Sequence, residues 1–373
     1  MTPETPNNTD NAVVVITGLG LNIPVGSCTA QAYTAVRAGI NRFCGWSLTG
    51  GAAGGEDGVA IVSTVVGTPA LDWSQRAELL VVDALKEALF DAGLYEPADL
   101  EALYGRSAVS AHIAMPYEAR PGISQASLAL FQENARGHCV VALNSSQVEF
   151  LPQAHAAGIL AVERAVAALR SGTVDVSVVI GIDTLLMPET LADMLEREKV
   201  KTDFKPSGLI PGEGAAILIL ERLADANQRQ APVYAAVGSL GAGREDMPFD
   251  GPEATRAEGM SQILQEVLAT SGQSPEVFGD VLTDLNGERG RFQEWGLVEV
   301  RCLSELAYGW NRHHTADCTG DLGAATGVFL LGFGAGMLRW GHAAGQGILV
   351  TTAAEQGERS CASLVAPELL KEG

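Results

Sequence analysis

The 373-residue chain is poor in charge, in aromatics and above all in basic side chains. Charged residues make up 18% and aromatics 6%, and 24 Lys and Arg face 45 Asp and Glu, a formal net charge of −21. That balance argues against nucleic acid and anionic membrane surfaces as partners, and more weakly against an acidic protein partner. None of the six cysteines (Cys28, Cys44, Cys139, Cys302, Cys318, Cys361) lies in a C-x-x-C pair. A zinc ribbon and a thioredoxin-like motif are therefore absent, and scattered thiols fit a reducing cytoplasm. No uninterrupted apolar run reaches about 18 residues, so no membrane span is expected. The first twelve residues carry neither a basic nor an apolar leader segment, so no signal peptide is expected and residues 1–11 read as a disordered tail.

What is present is apolar and small: 47% hydrophobic residues and 43 glycines, enough for a large core with tight turns. The length suits two domains or one large duplicated one. The run Val13-Val-Val-Ile-Thr-Gly18 predicts a buried strand emptying into a glycine turn at Gly18-Leu-Gly20. A helix is expected over 72–89, with Leu79, Val82, Leu85 and Leu89 as its apolar face and Ala92-Gly93 as its stop. A second helix over about 156–171 ends at Gly172, and Val174–Ile180 follows as a strand. This alternation predicts an α/β layered fold with a mostly parallel sheet.

The pattern recurs. Ala157-Gly158 to Leu169-Arg170-Ser171-Gly172 matches Thr326-Gly327 to Leu338-Arg339-Trp340-Gly341, with a Gly-to-Gly spacing of 14 in both copies. An apolar strand follows each, Val178–Ile180 and Ile348–Val350. Two similar halves are expected, 12–223 and 232–373, joined by the polar stretch Ala224–Gln230.

Several motifs invite chemistry that their context does not support. Gly18-x-Gly20 lacks the third glycine of a dinucleotide fingerprint and a suitably placed acidic residue, so no cofactor is expected. Gly332-Phe-Gly334-Ala-Gly336 falls mid-helix, where small residues serve close packing and cannot cradle phosphate. His313-His314 on an extended segment would point to opposite faces, so no metal site is expected. His155, just ahead of the first repeat helix, reads on its own as a capping or packing residue.

Four segments together resemble the β-ketoacyl synthase branch of the thiolase-like condensing enzymes, over roughly residues 12–365. They are the opening Val14-Val-Ile-Thr-Gly-Leu-Gly20 with Pro24-x-Gly26, Arg76-Ala through Ala92-Gly93-Leu94, Leu209-Ile-Pro-Gly-Glu-Gly-Ala-Ala216 with Lys201-Thr202 and Gly208 before it, and Gly320-Asp-Leu-Gly-Ala-Ala-Thr-Gly327. The third is the most specific. The resemblance implies a duplicated βαβαβαββ unit in five α/β/α/β/α layers. It also implies a dimer, paired through about Cys139–Ser146.

The same alignment places the family's catalytic groups on residues that cannot fill their roles. Condensation there needs a cysteine nucleophile at a helix N-terminus and two histidines. Here the three positions hold His155, Asn286 and Asp321, and Glu355-Gln-Gly-Glu-Arg-Ser-Cys361 replaces a glycine-rich C-terminal loop. A His155–Asp321 pair would make either a base with its orienter or a structural hydrogen bond. The segment Asp284–Trp295 replaces a catalytic loop. Glu288, Arg289 and Trp295 in it stand either as substrate-binding residues or as part of a buried Glu/Arg network bracing an emptied site.

The implied function is a non-catalytic, cytoplasmic binding or adaptor protein with a protein partner in a homodimer or heterodimer. Resemblance of the 284–295 loop to thiolase-like proteins encoded beside type VI secretion effectors suggests such an effector as the partner. Two alternatives stand beside it: a chain-length-factor-like silent subunit of a heterodimeric β-ketoacyl synthase, and a residual acyltransferase that binds an acyl thioester.

Overall fold

The computed structural model describes residues 13–46, 60–65, 71–94, 108–143, 147–306 and 308–371. The expected tail over 1–11 lies outside them. The first part of the chain runs β1 (Val14–Asn22), α1 (Thr29–Arg37), β2 (Cys44–Trp46), β3 (Ala60–Val62), α2 (Trp73–Asp91), β4 (Val109–Ala114), α3 (Gln125–Leu143), β5 (Gln147–Leu151), α4 (Ala157–Arg170), β6 (Val176–Thr184), α5 (Pro188–Glu196) and β7 (Glu213–Arg222). The rest runs α6 (Leu223–Gln228), β8 (Ala235–Arg244), α7 (Glu258–Thr270), β9 (Phe278–Thr283), α8 (Arg289–Cys302), β10 (Asn311–His314), α9 (Ala316–Thr319), α10 (Thr326–Arg339), β11 (Gly347–Ala353) and β12 (Glu358–Val365). The polar stretch expected as a linker is α6.

The strands line up as β10-β9-β11-β12-β8-β1-β7-β6-β4-β5. Read outward from the β1–β8 contact, each half has the same order, β1-β7-β6-β4-β5 and β8-β12-β11-β9-β10. The sheet is mixed, not mostly parallel. β7 is antiparallel to both β1 and β6, and β12 to both β8 and β11. The cause lies in the connections. Thr184 pairs with Glu213, so the β6–β7 connection leaves and returns at one end of the sheet, where Leu185, Leu191, Met194, Val200 and Leu209 form a separate cluster. No crossover helix carries the chain back along the sheet, and a parallel pairing needs one.

Three apolar clusters define five layers. The central one holds α4 and α10 between inward residues of both sheet halves, among them Val179, Leu218, Leu282 and Val350. α2 and α3 cover one outer face, and α7 and α8 the other. α4 and α10 are matched: each follows a 3-10 turn, spans 14 residues, and ends at a glycine with φ near +70° (Gly172 and Gly341). Gly158 and Gly327 form their crossing point. A Cβ on Gly158 would stand 2.6 Å from Val328 N, which only glycine tolerates.

Two local expectations change. β1 runs on through the presumed turn to Asn22, all of it buried. Its glycines admit α2 instead: a Cβ at Gly20 would lie 1.9 Å from Ala84 O. α2 accordingly buries Trp73, Ala77, Leu80, Ala84 and Ala88, while Leu79 is 54% exposed. Asp72 starts the helix with a capping box, its carboxylate accepting from Gln75 N at 3.0 Å and Gln75 Oε1 accepting from Asp72 N at 3.1 Å.

Candidate functional site: a buried ion network at the helix start

His155 sits in the 3-10 turn Ala154–Ala156 that feeds α4, held by the crossing of the central helices. The residue before it, Ala154, adopts φ +47°, a conformation rare outside glycine. Asp321 comes from the turn between α9 and α10. Its backbone is fixed by the segment Ile210-Pro-Gly212: Asp321 N donates to Ile210 O at 2.7 Å, and Gly212 N donates to Asp321 O at 2.9 Å. Asn286 and Glu288 come from the loop after β9, which is tied to the same segment through Gly208 N donating to Gly287 O at 3.2 Å.

The structure brings His155, Asn286, Asp321 and Glu288 together. His155 Nε2 lies 2.7 Å from Asp321 Oδ1, which also accepts from Gly323 N at 2.8 Å. Asn286 Nδ2 donates to Asp321 Oδ2 at 2.6 Å and to Glu288 Oε2 at 3.0 Å. Of the other two expected residues, neither joins. Arg289 is exposed, and Trp295 packs in the outer core with Nε1 donating to Glu299 Oε2 at 3.0 Å. The expected loop over 284–295 turns helical at Arg289, and this rotates both side chains away from His155.

The cation at the centre is Arg291. It donates from Nε to Glu288 Oε2 at 2.9 Å, and from Nη1 to Asp284 Oδ2 at 2.7 Å and to Ala353 O at 2.6 Å; Nη2 lies 3.5 Å from His155 Nδ1. Lys199 closes the outer side, its Nζ 3.7 Å from Glu288, 2.9 Å from Asp250 and 2.8 Å from Glu355. A second buried pair adjoins it. Arg359 and Glu294 meet two-pronged at 2.6 and 2.7 Å, and the Phe249 ring centre lies 4.5 Å from the Arg291 guanidinium and 5.1 Å from that of Arg359. Glu355 and Arg359 both come from the turn and strand start between β11 and β12.

Charges so placed set one another's protonation. Burial disfavours ionised His155, but the Asp321 carboxylate outweighs it and holds the imidazole above its ordinary value. Burial likewise opposes ionisation of Asp321, and His155 and Arg291 reverse this, keeping it well below the usual carboxylate range. Glu288 is lowered in the same way, against burial, by Arg291 and Lys199. With His155 protonated, the carboxylates Asp284, Glu288 and Asp321 face the cations His155 and Arg291, and Lys199 adds a third cation that it shares with Asp250 and Glu355.

Little space remains. The cavity bounded by Asp284, Asn286, Thr319 and Asp321 has about 10 Å³, room for roughly one water centre, and that beside Arg291 and Phe249 about 20 Å³. Among the thiols, burial pushes Cys302 and Cys361 up and Cys318 to about 11, the reverse of what a nucleophile needs. No cluster of three or more metal-ligating side chains occurs among the described residues. No helix among them is long and apolar enough to cross a membrane.

The specific Leu209–Ala216 segment works as scaffold. Besides pinning Asp321, it supplies Glu213, which accepts from Arg76 Nε at 3.0 Å and Nη2 at 2.9 Å in full burial and also from Thr184 Oγ1 at 3.0 Å. Asp183 next door pairs with Arg120 at 2.6 Å and accepts from Ala324 N at 2.9 Å, holding the 321–325 turn. Asp284 and Arg291 fall within the segment expected to hold a buried Glu/Arg network, whereas Lys199 and Asp183 carry no such expectation. For Arg291 a signal existed: 291, 294, 295, 298 and 302 recur at helical spacing, and all five are buried.

Residues 70–226 match the family described as the N-terminal domain of β-ketoacyl synthases. The 3-oxoacyl-[acyl-carrier-protein] synthase 2 of Coxiella burnetii is 30% identical over 125 residues, 33% of this chain and 30% of that protein. Polyketide synthase PksL of Bacillus subtilis is 29% identical over 117 residues, 29% of this chain and 2% of that protein. The matched segment thus spans less than a third of either relative. In solved structures the likeness extends over nearly the whole chain. A chain of the ishigamide ketosynthase/chain length factor covers 95% of this chain and 99% of its own at TM-score 0.76 and 20% identity. A chain of the AntDE:AntF assembly, a type II PKS acyl-carrier protein with its ketosynthase, gives 0.77 at 16% identity with the same coverage. At such identities the likeness is one of fold.

Proposed function

We propose that this chain, which belongs to the thiolase-like condensing-enzyme superfamily, is a ketosynthase-like protein that acts by binding a protein partner and does not run condensation. The observation that carries the reading is the buried network centred on Arg291. It joins His155, Asn286 and Asp321, which the sequence resemblance sets at the family's catalytic positions; it satisfies both oxygens of Asp321 and leaves space for roughly a single water. An imidazole at 155 also cannot pass an acyl thioester through a cysteine cycle.

Partner binding has a natural place. β5 is the outermost strand of its half, paired with β4 among the described residues, and so lies at an end of the sheet. The segment first expected to pair, about 139–146, is helical up to Leu143, and its last residues lie outside the described ones. Dimerisation through Gln147–Leu151 fits this edge. The partner is either a second copy or, as the 284–295 loop suggests, a type VI secretion effector.

A second reading is favoured by likeness to a ketosynthase/chain length factor structure: a silent subunit that completes a heterodimeric synthase through the same edge. Incubation with acyl and malonyl thioesters tests the main reading. It predicts no ketoacyl product from the chain alone, and a condensation rate abolished by His155→Ala would overturn it. Light scattering at micromolar concentration tests self-association, and a monomeric mass removes the homodimer. Co-expression with a neighbouring synthase gene separates the readings. Condensation that appears only in the pair supports the silent subunit.

A further inference from the structure

We propose that the groove between α1 and the end of α10 binds a planar aromatic ring carrying one anionic group, a carboxylate or a phosphate. The groove has a volume of about 590 Å³, within the range of small-molecule sites and far larger than the spaces beside His155. It is independent of the partner-binding reading and involves none of the same residues.

Aromatic side chains form its floor and one wall. Ala30, Tyr33, Thr34 and Arg37 recur at three and four residues and so share one face of α1. Tyr33 is the floor, only 5% exposed. The Trp340 indole meets it edge-on at 4.4 Å and 68°, and meets Tyr234 at 5.9 Å and 86°. His342 stacks over Tyr33 at 5.8 Å and 24°. Trp340 is thus braced on two sides yet stays 39% exposed beside the groove. A rigid aromatic face left open in this way favours offset stacking by another ring.

Polar groups stand beside the rings. Burial pushes the Tyr33 hydroxyl up to about 12, against the pull of Arg37, so it keeps its proton at neutral pH. Tyr33 Oη and His342 Nδ1 share a hydrogen bond at 2.8 Å. The Arg37 guanidinium stands 6.0 Å from the Tyr33 ring centre and has no carboxylate partner among the described residues. Among the described residues no acidic side chain lines the groove. In a chain of net charge −21, an arginine with no carboxylate partner among the described residues, beside an exposed indole, complements an anion on a flat ring.

Calorimetry on the full chain tests this with three probes that share one ring: 2-naphthoate, 2-naphthyl phosphate and uncharged 2-naphthol. At least one anion is expected to saturate with a Kd below ~1 mM, and 2-naphthol to bind at least about tenfold more weakly. The tighter anion identifies the head group. Arg37→Gln, an exposed change that leaves the fold intact, should weaken the anion about tenfold and leave 2-naphthol unmoved. Trp340→Ala should weaken both kinds of probe. The proposal is overturned if neither anion saturates below ~1 mM, or if either substitution leaves the anion's affinity unchanged.

Discussion

His155 Nε2 and Asp321 Oδ1 meet at 2.7 Å across 166 residues of sequence, one at the start of each central helix of the duplicated fold. The pair joins the two halves at the point where Gly158 and Gly327 let those helices cross. Its strength depends on what surrounds it. Removing one member of a buried ion pair leaves a charge uncompensated at a cost of about 3–5 kcal/mol. Asp321→Asn keeps the shape and removes the charge facing His155 and Arg291, so urea unfolding should show a loss of that order. His155→Gln, which preserves a donor, should cost less.

The protonation states give opposite pH limbs. His155 is raised above its ordinary 6.5 in the folded chain. Its contribution is therefore complete below about that pH and is lost as pH rises through the folded value. Asp321 is depressed below 3.8, so its contribution is complete above that pH and is lost as pH falls through the folded value. Unfolding free energy measured across pH should decline on both sides. His155→Gln should flatten the alkaline limb and Asp321→Asn the acid one.

Arg76 and Glu213 make a separate test of buried pairing. Arg76→Met alone should destabilise by about 3–5 kcal/mol, because Glu213 stays buried without its cation. The double change Arg76→Met with Glu213→Leu should recover much of that loss. A double variant no more stable than Arg76→Met would show that the pair is worth more than apolar packing.

The helix crossing is sensitive to one methyl group. In Gly158→Ala the new Cβ meets Val328 N at 2.6 Å, and overpacking of this kind costs about 1–3 kcal/mol. Gly327→Ala meets Gly158 Cα at 3.2 Å and should cost less. Thermal melts of the two variants should keep this order.

The duplicated fold was readable because α4 and α10 repeat their spacing and end on matched glycines. His155, Asn286 and Asp321 follow from the resemblance to the condensing-enzyme family, and in the fold they meet. Arg289 and Trp295 lie outside the hydrogen-bonded network because the 284–295 segment is helical from Arg289 onward. Once α8 begins at Arg289, it is Arg291 that points inward. Lys199 was out of reach for a different reason: its partners come from three distant segments, and no local pattern announces such a contact. Gly18 and Gly20 misled in the other direction, since glycine for a turn and glycine for close helix approach look alike in sequence.

Calorimetric titration with a medium-chain acyl-CoA tests the central claim most directly, that the ion network has taken the place of an acyl site. The account predicts no saturable heat at micromolar protein and no acyl adduct by intact mass afterwards. Saturable micromolar binding that His155→Trp abolishes would contradict it.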